Sequence, residues 1–304
     1  VLRKLSISSV IGFAFIFTAG VLRAADPVPT TDATTQPPDK WQYTLFDPTP
    51  ADQLRSMDTD RPNKTNTPHT IDSGHLQLET GVVDYSYDRD QYHGSNSRSD
   101  AFDFGQFNFR VGVLNNLELN AVINSEVLLR NTDFIAGESS RQNGFGDTVV
   151  GGKLNVWGNE GGDAVWTTAL AIQPQFKIPT AREDLGNGHP ELFVGVPFLL
   201  NLPAGLHLGL QTTLSWERNA TNNGDTTGWQ NSASIDRVFM DRYDVYLEYW
   251  SHVSSEHHQE AQQTIDVGMV VALTDNLVMD TGVNFGLNKA STNLECVAGF
   301  SVRF

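Results

Sequence analysis

Cysteine is almost absent: Cys296 stands alone, so no disulfide can form within the chain. A helical membrane span is missing too. It would take roughly 20 consecutive apolar residues, and the longest apolar run, Val10 to Leu22, is shorter. Basic residues are scarce, with 20 Lys and Arg against 36 Asp and Glu. The resulting formal charge of −16 disfavours a nucleic-acid partner. The nucleotide and zinc signatures GxxxxGK[ST], HExxH and CxxC do not occur. The sequence therefore leads us to expect no cofactor and no metal.

What is present is alternation. From about residue 75 to Phe304, apolar and polar residues exchange places in twelve short segments. The third is the cleanest, with Leu117, Leu119, Ala121, Ile123, Val127 and Leu129 on one face and Glu118, Asn120, Asn124 and Glu126 on the other. The last segment sets Leu294, Cys296, Ala298, Phe300, Val302 and Phe304 on one face. The eighth, around Trp229 to Val238, is weak, and the first changes phase after Val82, as a β-bulge would make it do.

A period of two is a strand period. The links between segments also alternate in length. Asn115-Asn116, Pro203 to Gly205 and Thr274 to Asn276 are tight, whereas 88–100, 130–143, 179–190, 218–228 and 253–262 are long and polar. In lipid, only helices and closed barrels satisfy every backbone group. Alternating strands with short turns at one end and long loops at the other define a transmembrane barrel. The expected fold is all-β, a transmembrane antiparallel β-barrel of about 12 strands. An even count places both termini in the periplasm of a bacterium, with the barrel in its outer membrane.

Ahead of the barrel, Arg3 and Lys4, the apolar run and Ala24-Ala25 have the layout of a secretory signal. The organisation read from sequence is a signal peptide at 1–24, a disordered periplasmic N-terminal segment at 25–58, a lead-in at the barrel mouth at 59–74, and the barrel at 75–304. Residues 41–74 could rest against the mouth or plug the lumen.

Several blocks resemble a known family. Thr59-Asp-Arg-Pro-Asn-Lys-Thr65, with Gly74 to Gly81 after it, resembles the opening of the outer-membrane transporters described by the "putative MetA-pathway of phenol degradation". Gly144 to Asp147, Gly152 to Leu154, Lys177 to Thr180 and the closing Gly299 to Phe304 are similar to its later blocks. The resemblance covers about residues 59–304. It implies a channel for small organic solutes, aromatic ones among them; that the sequence assembles no catalytic constellation leads us to expect no enzyme activity.

On the face assigned to the lumen, acids outnumber bases. Glu118, Glu126, Asp147, Asp236, Glu248, Asp266, Asp280 and Glu295 stand against Arg110, Lys153, Arg303 and, if the eighth segment turns that way, Arg237. Such charges can cross-link a filled barrel or line a narrow aqueous path. The candidate binding residues at mouth and lumen are Asp60, Arg61, Arg110, Glu118, Glu126, Lys153, Glu248 and Asp280. Arg61 is singled out because a guanidinium can bind carboxylates with two parallel bonds. The expected partners are outer-membrane lipids, a small-molecule solute, and the barrel-insertion machinery acting on the C-terminal strand.

Two other readings remain open. His252-x-Ser254 resembles the His-x-Ser pair of outer-membrane phospholipases and lipid A deacylases, which would make the protein a lipid hydrolase. Its continuation, Ser255-Glu256, departs from the phospholipase pattern. A purely structural or adhesive barrel is the third possibility. Glu256, His257, His258 and Glu260 could in principle ligate a cation, but they read as a solvated polar loop.

Overall fold

The computed structural model describes residues 39–304 apart from 92–94, 163, 184 and 257–258. The expected signal peptide, most of the expected disordered segment and part of the His257-His258 loop lie outside these residues. Among the described residues no helix is long and apolar enough to cross a membrane.

The chain forms β1 (Leu76–Asp90), β2 (Ser97–Leu114), β3 (Leu117–Asp133), β4 (Glu138–Gly144) and β5 (Thr148–Trp157). There follow β6 (Thr168–Ile178), β7 (Glu191–Leu202), β8 (Leu206–Arg218), β9 (Asp225–Phe239) and β10 (Tyr243–Ser254). The last three are β11 (Gln262–Thr274), β12 (Leu277–Gly286) and β13 (Leu294–Arg303). Apart from β4 and β5, which do not pair with each other, each strand pairs antiparallel with its sequence neighbours, and β13 returns to β1 from Gln77↔Arg303 to Tyr87↔Leu294. Strands β4 and β5 share one position beside β3, so the wall is a closed barrel of 12 strand positions.

Exposure decides which face is inside. Val82, Leu119, Leu247 and Met279 are each 51% exposed, while Gln77, Glu79, Arg110, Lys153 and Asp266 are all at 0%. A soluble barrel would invert this, since apolar surface in water costs roughly 25 cal/mol per Å². The polar face lines the lumen and the apolar face meets lipid. The weak eighth segment is a full strand, β9, and it turns Arg237 outward in the row of the exposed Ile235.

The bulge expected after Val82 is present as a register shift between Gly81 and Val83 in the β1–β13 ladder. The same level is irregular in β2, where Gly105 takes φ 71 and neither it nor Ser125 of β3 joins the ladder. Beyond this level the inward row changes parity: Asp84, Asp103 and Val127 line the lumen.

Two links expected to be loops are largely strand. β1 and β2 extend to Asp90 and Ser97, and Arg130 to Asn143 forms most of a β3–β4 hairpin. Above the lipid both faces of a strand meet water, so the ladder continues while the alternation that reveals it fades. At the other end the link 158–167 is longer than the other turns; within it Asn159 bonds Thr70 of the lead-in and Glu160 bonds Arg55 ahead of the lead-in.

Candidate functional site

The lead-in runs inside the barrel. The carboxylate of Glu248 on β10 accepts the backbone N–H groups of Lys64 (2.8 Å) and Thr65 (2.7 Å) and the Thr65 hydroxyl (2.5 Å). Asn66 donates its N–H to Gln211 Oε1 of β8 (2.7 Å) and its amide to Gln173 Oε1 of β6 (2.8 Å). Thr65 also meets Ser232 of β9 at 2.6 Å. Asn155 of β5 donates to the Pro68 carbonyl (3.0 Å), and Ile71 N–H donates to Glu118 of β3 (2.8 Å). A segment tied to walls on opposite sides lies across the bore. Its peptide groups there find wall side chains because the strands around them are already paired with one another.

Two charge clusters anchor this crossing. On one side, Arg110 donates twice to Glu118 (2.9 Å each) and once to Glu79 (2.7 Å), while Lys153 donates to Asp60 of the lead-in (2.8 Å). All the wall members are essentially inaccessible to solvent, and every charge has an opposite neighbour, as buried charges require.

On the other side, the guanidinium of Arg61 sits 3.3 Å from both Asp84 and Asp280. It reaches them by lying over the paired residues Gly81 and Gly299, where an added Cβ would stand 2.8 and 3.0 Å from its nitrogens. Burial pulls the Arg61 pKa down, but Asp280 and Asp84 outweigh it and hold it above the usual value. Lys64 bridges Asp266 and Glu295, both at 3.3 Å. Asp58 is raised by burial and lowered more by the bond and charge of His69, by Thr67 and by Arg110, and settles at about 2.

At the turn end a further network of Lys40, Arg55, Asp72 and Glu160 holds residues 40–57 against the wall. Arg55 donates to the Asn115 carbonyl (3.0 Å), and Arg303 donates to the Arg55 carbonyl (2.7 Å). The termini of the barrel meet at this same end through Leu76 and Phe304.

Of the eight residues singled out from sequence, the structure brings seven to the lead-in. Asp60, Arg110, Glu118 and Lys153 form one cluster, Arg61 with Asp280 another, and Glu248 caps Lys64 and Thr65. Glu126 is the correction. The parity change near Gly105 and Ser125 puts its neighbour Val127 inward, so Glu126 leaves the lumen row and accepts from Asn143 of β4 (2.8 Å) at an exposed position. Sequence reasoning missed Glu79, Lys64 and Asp84. Glu79 was available from the alternation Leu78-Glu79-Thr80, whereas Asp84 lies past the bulge and Lys64 in a segment without period.

His252 and Ser254 do not pair. His252 Nε2 lies 3.0 Å from Glu217 Oε1, and the Ser254 hydroxyl meets Thr226 at 3.3 Å.

A closed barrel with an apolar belt and a charged, polar lumen is the architecture of an outer-membrane β-barrel. Solved barrels share it. The COG4313 outer membrane channel from Pseudomonas putida F1 superimposes with a TM-score of 0.57 at 10% identity, covering 76% of this chain and 94% of that one. The translocator domain of the autotransporter NalP from Neisseria meningitidis gives 0.51 at 10% identity over 76% and 89%. The transport unit of the autotransporter AIDA-I from Escherichia coli gives 0.51 at 11% over 81% and 92%. The chain belongs to the family described as "Putative MetA-pathway of phenol degradation", which matches residues 59–304. No curated protein matches the sequence.

Proposed function

We propose that the protein is an outer-membrane channel that passes small organic solutes, aromatic ones among them, without catalysis. In this reading residues 59–74 are a tethered constriction whose seat sets the bore. The observation that carries it is the lumen itself, a wall of polar and charged side chains around a segment held by hydrogen bonds and ion pairs rather than by an apolar core. Such contacts, unlike an apolar core, can be replaced one at a time by water in the lumen, a hydrogen bond to a charged group contributing about 1.5–3 kcal/mol net. Family membership supports the channel over the hydrolase, as does the separation of Ser254 from His252 into different partnerships.

On the same reading a signal peptide delivers the chain to the periplasm, both termini stay there, and the insertion machinery reads the β13 strand. Planar-bilayer recording of the purified protein, beside a phospholipase assay, tests the function. Discrete conductance with no hydrolysis is expected; hydrolysis that disappears in Ser254→Ala would replace the channel by the enzyme.

A further inference from the structure

Between the lead-in and the loop-side parts of β1, β2 and β13 lies a cavity of about 500 Å³. Small-molecule sites usually occupy roughly 300–1,000 Å³. Lead-in residues from Asp60 to Lys64 form one side of it, and Asp84, Asp103 and Glu295 line the wall together with Val127 and Val297.

The charges here are unevenly satisfied. Both cations are already held by two carboxylates each: Arg61 by Asp84 and Asp280, Lys64 by Asp266 and Glu295. An anionic solute would have to displace one of these and would approach a wall that is otherwise acidic. Asp103 is the opposite case. It lines the cavity at a half-buried position, and among the described residues no cation is within ion-pair distance of it. A carboxylate that reaches a cavity without a protein counter-charge is complemented by a ligand that brings N–H groups and positive charge. Val127 and Val297 offer an apolar surface beside it.

We infer that this cavity is a binding site for small organic ammonium ions, with Asp103 as the anchoring carboxylate and Val127 and Val297 receiving the apolar body. The inference deepens the channel reading, on which it rests for the solute's route to the cavity.

Calorimetric titration of the purified full-length barrel in detergent tests it, with benzylammonium as probe and benzoate as the anion of like size. Saturable binding of benzylammonium, tighter than benzoate, is expected. Asp103→Asn should weaken it by roughly tenfold or more, the worth of a hydrogen bond to a charged group. Val127→Phe, which fills the cavity and leaves Asp103 in place, should weaken it as well. Folding of each variant is checked by its gel migration before boiling. Benzoate binding as tightly as benzylammonium overturns the inference, and so does undiminished benzylammonium binding in both variants. Bilayer recording keeps the two readings apart. Conductance without ammonium binding removes the site and leaves the channel, while binding without conductance removes the channel and leaves the site.

Discussion

Arg110, fully buried, and Arg61, 11% exposed, are both guanidiniums between two carboxylates, but they join different parts of the molecule. Arg110 ties wall to wall, linking β2 to Glu118 of β3 and Glu79 of β1. Arg61 ties the lead-in to the wall. Arg110→Ala leaves Glu79 and Glu118, both at most 1% exposed, without their main counter-charge. Breaking such a pair costs about 3–5 kcal/mol, so the denaturant midpoint should fall markedly and less folded barrel should be recovered. Arg61→Ala lets the lead-in shift and water reach Asp84 and Asp280, leaving the strand ladder intact. Bilayer conductance or its open-state noise should rise, while the unfolding midpoint moves far less than in Arg110→Ala. An equal fall in both midpoints would show that the lead-in seat is structural. Arg61, Arg110, Glu118 and Lys153 were legible as charged residues at strand or motif positions. Asp84, a partner of Arg61, and Lys64, which bridges Asp266 and Glu295, were not, because contacts between distant segments leave no local period.

Strands were legible wherever one face meets lipid and the other the lumen. β3 shows this from Leu117 to Asn124, and it fails from Glu126 onward, where a bulge level reverses the parity. The closing strand carries its own prediction. Phe304 pairs its backbone with Leu76 (2.8 and 3.4 Å), while its side chain is 66% exposed and so open to an outside receptor. Deleting Phe304 should lower the amount of barrel reaching the outer membrane and leave degraded chain in the periplasm, measured by fractionation and immunoblotting. Undiminished outer-membrane levels would remove any role for that residue in insertion. The lead-in carries another. Asp58 has a folded pKa of about 2 against an ordinary 3.8, so the stability it lends is present above pH 3.8 and is lost as pH falls through about 2. The mobility of a spin label attached at neutral pH to Asn63→Cys should therefore stay low down to mildly acidic pH and rise toward pH 2. Asp58→Asn should remove the Asp58-dependent part of that rise.

For the whole molecule, closure is the dominant fact. Every one of the 12 strand positions has two neighbours, and the β1–β13 seam runs for ten residue pairs with one bulge. Unfolding must break ladders that, in lipid or detergent, have no water to replace them. The protein should therefore migrate faster on a gel without boiling than after it. Identical migration in both lanes would exclude a detergent-resistant barrel.

The sequence by itself determined the barrel, its approximate strand number and the division of each strand into two faces, because lipid on one side and water on the other impose a period of two. It also marked Asp60-Arg61 as more than a linker. Only the tertiary structure decided that the polar face is inside, that residues 58–70 cross the lumen, and that Glu126 leaves the lumen row. Alternation is symmetric between in and out until the sheet closes. The partners of a segment without period are fixed by which wall side chains the closed barrel brings around it, and a bulge that reverses parity across neighbouring strands is set by the ladder they share.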